Sequence, residues 1–141
     1  MDLGDSVSGE PEAIVTMHIG ELAEKTGLSL RTIRHYDEVG LLKPSGRTEG
    51  GFRLYSQEDL SRLLLIRRMK PLGFSLEEMT ELLSIIDTLD GDHTDTGNPD
   101  ADPSPVRAEL DRFIDETATR RKKLQAEVEM ADEFLELLRS R

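Results

Sequence analysis

Hydrophobic residues recur every three or four positions through most of the chain, and this spacing predicts a mainly α-helical protein. Ile19 and Leu22 share one face of a first short helix, which Gly27 is expected to end. Ser29 stands at the N-cap position of a second helix, which the pattern carries as far as Gly40. Two short helices joined by a tight turn predict a helix-turn-helix.

The second predicted helix has two different faces. Leu30 and Ile33 are expected to point inward, whereas Arg31, Thr32 and His35 remain on the outside. A helix about 10–12 Å wide fits the roughly 12 Å major groove of B-DNA. This outer row of basic and hydrogen-bonding side chains therefore suits contacts with bases and phosphates.

A β-hairpin, or wing, is predicted for residues 45–56, SGRTEGGFRLYS, because two adjacent glycines separate two short extended arms. Side chains alternate along a strand, so Phe52 and Leu54 should face one way and Arg53 and Tyr55 the other. We expect the first pair to cover the core and the second pair to face outward, toward a neighbouring groove or backbone.

Two further helices begin with the sequence pattern of a capping box. Ser56 is followed by Asp59, and Ser75 is followed by Glu78, at the spacing that this motif requires. The apolar positions of these two helices are expected to be Leu60, Leu63, Leu64, Ile66, Met79, Leu82, Leu83 and Ile86.

The last third of the chain predicts a linker and one long helix. Residues 87–105 are rich in Asp, Gly, Pro and Thr and predict an acidic flexible linker, and residues 106–141 follow as a dimerisation helix. A heptad seam needs a partner helix, and a second copy of the chain is the simplest partner. Its predicted positions are Leu110, Ile114, Thr117, Arg121, Leu124, Val128, Ala131, Leu135 and Leu138, interrupted by the polar Thr117 and Arg121.

Charge is unevenly distributed along the 141 residues, whose formal net charge is -11. Residues 1–16 carry four acidic and no basic side chains and predict a disordered acidic tail. Residues 17–75 carry ten Lys or Arg against seven Asp or Glu, whereas residues 76–141 carry eight against eighteen. The net-basic section is therefore the one that contains the predicted helix-turn-helix and wing, which favours a phosphate-binding surface there.

Composition also limits the chemistry that we expect. The chain has no cysteine and three histidines without metal-ligand spacing, so we predict neither a metal site nor a cofactor. It contains no Gly-rich phosphate loop and no nucleophile beside a plausible base, so we do not expect an enzyme. No apolar run approaches the roughly 20 residues of a membrane span, and we expect a cytoplasmic protein.

Residues 17 to about 86 resemble the N-terminal domain of MerR-type transcription regulators, through the segments IRHYDEVGLLKP and GFRLY above all. The resemblance implies a winged helix-turn-helix over 17–86 and a homodimer joined by an antiparallel coiled coil. It also implies binding to a pseudo-palindromic promoter site, with DNA distortion that acts on RNA polymerase indirectly. The residues then expected to contact DNA are Arg31, Thr32, Arg34, His35, Tyr36, Arg47, Arg53, Tyr55 and Lys70.

The chain also departs from the family. Metal-sensing members carry cysteines near the dimer helix, and drug-sensing members carry a large C-terminal ligand domain, whereas this sequence has neither. The existence of a small-molecule effector stays open. So do two other classes of function, an architectural DNA-bending protein like the excisionases and a coiled-coil adaptor. The long dimer helix argues against the first class and the intact wing against the second.

Overall fold

The computed structural model of the protein describes residues 16–91 and 104–141. The predicted acidic tail up to residue 15, and residues 92–103 of the predicted linker, lie outside the described residues. The described chain divides into one compact unit that ends at Arg68 and a second that starts at Met69. The elements in chain order are β1 (Thr16–His18), α1 (Ile19–Thr26), α2 (Leu30–Glu38), β2 (Gly46–Arg47), β3 (Arg53–Ser56), α3 (Gln57–Met69), a 3-10 turn (Lys70–Leu72), α4 (Leu76–Asp90) and α5 (Ser104–Arg139).

The turn between α1 and α2 forms where it was predicted. Gly27 adopts a left-handed conformation (φ 74°), and its N–H donates to the carbonyl of Ala23 over 2.8 Å. Glycine reaches this conformation without the steric cost that a Cβ would add. The Ser29 hydroxyl accepts a hydrogen bond from the Thr32 N–H at 3.0 Å and caps α2. The predicted helix-turn-helix is confirmed.

The wing is the end of a three-stranded antiparallel sheet in which β3 lies between β1 and β2. Met17 pairs with Tyr55, and Arg47 pairs with Arg53. Met17 therefore belongs to a strand that the sequence analysis did not predict, and α1 begins at Ile19. A three-residue strand is too short to show an alternation of its own, and it exists here because β3 offers it a pairing edge.

The prediction that Phe52 and Leu54 form the core-facing side of the wing was wrong. Tyr55 is completely buried, whereas Phe52 is 69% exposed and Leu54 is half-buried. Phe52 lies in the turn before β3 begins, so the strand alternation does not extend to it. Within β3, the side that carries Tyr55 faces the core. Leu30, expected on the inner face of α2, is 38% exposed, and Ile33 alone of that predicted pair is buried.

Both predicted capping boxes are present. The Ser56 hydroxyl accepts from the Asp59 N–H at 3.1 Å, and the Asp59 carboxylate accepts from the Ser56 N–H at 2.8 Å. Ser75 and Glu78 make the same reciprocal pair at 3.0 and 2.8 Å. Each box satisfies two N–H groups that a helix start would otherwise leave unpaired.

The second unit differs from the predicted boundaries. Helix α4 continues to Asp90, so residues 87–90 of the predicted linker are helical, and α5 begins at Ser104. In α4 the buried residues are Met79, Leu83 and Ile85, whereas the predicted Leu82 and Ile86 are half-buried.

The first half of α5 has a partner within its own chain. The rings of Phe113 and Phe74 lie 6.0 Å apart, and the Arg120 guanidinium stands 4.1 Å from the centroid of the Phe74 ring. Arg120 also donates to the Leu72 carbonyl at 3.2 Å and pairs with Glu78 at 3.5 Å. The sequence predicted a second copy of the chain as the partner of this helix and did not predict these contacts of its first half within the chain. From Arg121 onward every residue of α5 is exposed.

The two tyrosines of the chain give a pH prediction. Tyr36 is 3% exposed and Tyr55 is fully buried, and burial raises the pKa of both phenols above the ordinary value of 10.0. A raised pKa means that the folded state holds these protons more tightly than the unfolded state does. Their contribution to stability is therefore present below about pH 10 and is lost as the pH rises through the folded-state pKa values.

We expect phenolate absorbance in the folded protein to rise only above pH 10, together with loss of helical circular dichroism. The same chain in concentrated guanidinium chloride should titrate near pH 10 and serves as the control. Ionisation of either tyrosine at its ordinary pKa in the still-folded protein would contradict this prediction.

Candidate nucleic-acid interface

The outer side of α2 carries a row of exposed side chains. Arg31, Arg34, His35 and Glu38 line an open depression of about 490 Å³. Within residues 16–91 and 104–141, neither Arg31 nor Arg34 is held by a hydrogen bond or an ion pair. Their guanidinium groups present planar donors that suit guanine edges or phosphate oxygens.

Thr32 and Tyr36, which neighbour these residues in α2, stabilise the fold. The Thr32 hydroxyl accepts a hydrogen bond from the Ser29 hydroxyl at 2.9 Å, which fixes the first turn of the helix. Tyr36 is buried, and its backbone carbonyl accepts from the N–H groups of Leu41 and Leu42 at 2.9 and 3.2 Å. The predicted packing of the Tyr36 ring on the core agrees with this burial, and a phosphate contact of its hydroxyl stays a prediction.

Asp37 joins α2 to the wing, a role that was not predicted from the sequence. It is 8% exposed, and its Oδ2 accepts from Arg53 Nε at 2.8 Å and from Arg47 Nη2 at 3.4 Å. Lys43 Nζ lies 3.9 Å from its Oδ1. The sequence did contain a signal for this role. An acidic residue near a helix C-terminus interacts unfavourably with the helix dipole, so a cationic partner nearby is expected.

The two wing arginines are therefore part of the scaffold as well as of the surface. Arg53 has a side chain that is 26% exposed, and its hydrogen bond to Asp37 is the main cause of its raised pKa. Arg47 is 48% exposed, and besides the Asp37 contact its Nη1 donates to the Gly51 carbonyl at 3.2 Å. Both are positioned beside α2, and their predicted contacts with phosphate stay predictions.

Tyr55 does not lie on the surface of the wing. Its hydroxyl is the only buried side-chain N or O atom without a hydrogen-bond partner in the described part of the chain. The interpretation of Tyr55 as an outward-facing wing residue is therefore wrong, because the strand turns this side chain into the core.

Arg67 and Lys70, two basic residues that follow, are both exposed but differ in their contacts. Arg67 Nη1 donates to the Thr26 carbonyl at 2.7 Å and so satisfies the C-terminal end of α1. In the second unit, Lys70 is exposed at the start of the 3-10 turn. Lys70 is thus available to a phosphate, whereas Arg67 serves the fold.

Replacing Asp37 tests whether the wing depends on it. Asp37→Asn should lower the free energy of unfolding by about 2 kcal/mol, because charge-assisted hydrogen bonds to two arginines are weakened. Urea unfolding followed by circular dichroism measures the change. Glu38→Gln is the matched control, since this exposed neighbour makes no hydrogen bond or ion pair within the described residues. Equal stabilities of the two variants would contradict the anchoring role of Asp37.

Comparison with known proteins identifies the family of this chain. Residues 17–85 match the family described as MerR HTH family regulatory protein, and residues 60–127 match the one described as MerR, DNA binding. An uncharacterized HTH-type transcriptional regulator of Pseudomonas aeruginosa is 41% identical over 117 residues, which are 80% of this chain and 83% of that protein. The HTH-type transcriptional regulator CueR of Salmonella typhi is 36% identical over 113 residues, or 80% of each chain.

Comparison with solved structures supports the same family. A crystal structure of HiNmlR, a MerR family regulator lacking the sensor domain and bound to promoter DNA, superposes with a TM-score of 0.63 at 31% identity. The match covers 87% of this chain and 86% of that one. A MerR family regulator from Bacillus cereus gives a TM-score of 0.59 at 31% identity, over 86% of this chain and 76% of that one. With its helix-turn-helix, its wing and these relatives, the chain belongs to the MerR family of DNA-binding transcriptional regulators.

Proposed function

We propose that the protein acts in the cytoplasm as a homodimer on a pseudo-palindromic promoter site, with α2 in the major groove and the wing beside it. The observation that carries the proposal is a pair of arginines on α2, Arg31 and Arg34, which make no hydrogen bond or ion pair with any described residue and lie next to a wing that contacts Asp37. A surface with free guanidinium groups on a rigid support suits a polyanion, because little side-chain rearrangement opposes binding.

Base reading is assigned to the start of α2. Arg31 lies in the first turn of the helix, which is the part that enters the groove most deeply in helix-turn-helix proteins. Arginine donates two parallel hydrogen bonds to O6 and N7 of guanine. Arg34 and His35 lie one turn further along the exposed side and suit contacts with the groove edge.

Backbone contacts are assigned to the wing and to the 3-10 turn. Arg47 keeps about half of its side chain exposed while one of its nitrogens stays near Asp37. Lys70 is exposed in the second unit. Phosphate contacts of this kind hold a protein in register but carry no sequence information.

Dimerisation is assigned to α5. Four of the predicted seam residues beyond Arg121 are large and apolar and yet exposed, namely Leu124, Val128, Leu135 and Leu138 at 37%, 52%, 43% and 53%. Nearer the start of α5, Leu110 and Ile114 line an apolar groove of about 310 Å³ together with Leu82. A second copy supplies a helix with the same spacing of apolar residues, which a closed two-fold dimer needs.

Distortion of the promoter is the regulatory step that we propose. Two DNA-binding units held by one dimer helix pair each fix the backbone of a half-site. If the distance between the two units differs from the distance between the half-sites in relaxed DNA, part of the binding free energy bends and untwists the duplex. RNA polymerase then responds to the changed geometry of the promoter rather than to a direct contact.

A nuclease footprint on the DNA upstream of the protein's own gene tests this function. We expect a symmetric protected region with hypersensitive cleavage at its centre, and altered run-off transcription from the same fragment. Arg31→Ala should weaken binding to this site about tenfold and relax the base preference at one position in each half-site. Arg139→Ala, which removes an exposed arginine from the last turn of α5, is the matched control. Protection without a symmetric pattern would contradict the proposed dimer on a palindrome.

The dimer can be tested separately from DNA binding. Leu135→Gln places a polar group at a seam position in both copies, and we expect the dimer dissociation constant to rise at least about tenfold. Sedimentation velocity over a concentration series measures it. Glu136→Gln changes the exposed neighbour and should leave dissociation unchanged. If both variants dissociate like the unmodified protein, this face of α5 is not the dimer interface.

A further inference from the structure

An open depression of about 410 Å³ lies between the start of α4 and the first half of α5, within the second unit. Its volume is in the range of sites that hold small organic molecules. Phe74 and Phe113 supply aromatic rings to its wall, and all the other side chains that line it are charged. None of the lining residues is among those proposed to contact DNA or to form the seam of the dimer, so the depression has no role so far.

The wall of this depression already binds one cation of the chain itself. The Arg120 guanidinium stands 4.1 Å from the centroid of the Phe74 ring. Its Nε donates to the Glu116 carboxylate at 2.8 Å, and its Nη2 lies 3.5 Å from a carboxylate oxygen of Glu78. The electron-rich face of an aromatic ring attracts a flat cation, and carboxylates accept the N–H groups at its edge. The contacts of Arg120 therefore indicate that the wall suits a planar, delocalised cation.

The rest of the wall has uncompensated negative charge. Four carboxylates and two guanidinium groups line the depression, which is an excess of two negative charges. Glu81 is exposed and makes no hydrogen bond or ion pair with any described residue. Glu109 lies 3.5 Å from Arg112, whose side chain is 71% exposed. An ion pair as exposed as this one contributes little, so a bound cation can compete with Arg112 for the Glu109 carboxylate.

We propose that this depression binds a small aromatic cation with a flat, delocalised charge, such as an amidinium or guanidinium group attached to a ring. The ring of the ligand packs against Phe113, which is half-buried and lies 6.0 Å from the Phe74 ring. The cationic group of the ligand binds to Glu81 and Glu109. A neutral molecule of the same shape lacks this attraction, so charge determines the specificity. The inference does not depend on the proposed function, because this binding can be measured without DNA.

Benzamidinium chloride is a suitable probe, and benzamide is its neutral counterpart of the same shape. The full-length chain, with isotope-labelled phenylalanine, is titrated with each compound while the ring signals of Phe74 and Phe113 are followed by nuclear magnetic resonance. We expect benzamidinium to shift both signals saturably, with a dissociation constant on the order of 1 mM, as is usual for so small a ligand. Benzamide should bind at least about tenfold more weakly, because it carries no charge.

Two variants test the wall of the depression. Phe113→Leu keeps an apolar side chain but removes the ring, and the dissociation constant of benzamidinium, read from the Phe74 signal, should rise about fivefold. Glu81→Gln removes one exposed charge and should raise the dissociation constant about threefold. Phe134→Leu on α5 and Glu77→Gln on α4 are the matched controls, since both residues are exposed and lie outside the depression. Neither control should change the dissociation constant.

The controls are needed because a chain of net charge -11 attracts any cation. Equal affinity for benzamidinium and benzamide, shifts that rise without saturation, or an effect of Glu77→Gln as large as that of Glu81→Gln would each overturn the inference. Circular dichroism shows whether Phe113→Leu keeps its helices. If it does not, Glu81→Gln decides the test, because its exposed side chain can be changed without loss of the fold.

Discussion

The ion pair between Asp37 and Arg53 joins α2 to the wing, and the proposed DNA-binding surface depends on it. A two-residue strand paired with a four-residue strand is too short to hold its own orientation in water. Asp37 supplies the missing constraint, because its nearly buried carboxylate requires cationic partners and the wing provides two of them. The carboxylate of Asp37 therefore holds the wing beside α2, together with the pairing of β3 with β1 and the burial of Tyr55.

Helix ends could be predicted from the sequence because caps are local. Gly27, Ser29 and the two Ser-centred capping boxes act on groups within four residues, and each formed as expected. Strand β1 and the burial of Tyr55 could not be predicted in this way. They depend on a pairing between Met17 and Tyr55, which lie far apart in the chain, and three residues of strand carry no pattern strong enough to reveal it.

In the candidate site too, some residues could be predicted from local sequence and others could not. Arg31 and His35 were identified because helix periodicity puts them on the exposed side of α2, whereas Arg34 was identified only through the resemblance to MerR-type regulators. The task of Arg53 could not be read from periodicity, since its partner Asp37 belongs to a different element. The resemblance to MerR-type regulators identified the family, but a family pattern does not say which basic residues face solvent and which serve the fold.

The number of basic residues in a segment is consequently a poor measure of its DNA-facing charge. Residues 17–75 carry an excess of positive charge, yet Arg53 and Arg47 are engaged by Asp37 and Arg67 by a backbone carbonyl. Within the described residues Arg31 and Arg34 make no hydrogen bond or ion pair, and we propose them as the centre of the DNA contact. The net charge of -11 opposes long-range attraction to DNA, so the proposed contact depends on the placement of these few groups. The proposed DNA-binding surface thus needs both support of the wing by Asp37 and recognition of DNA by α2.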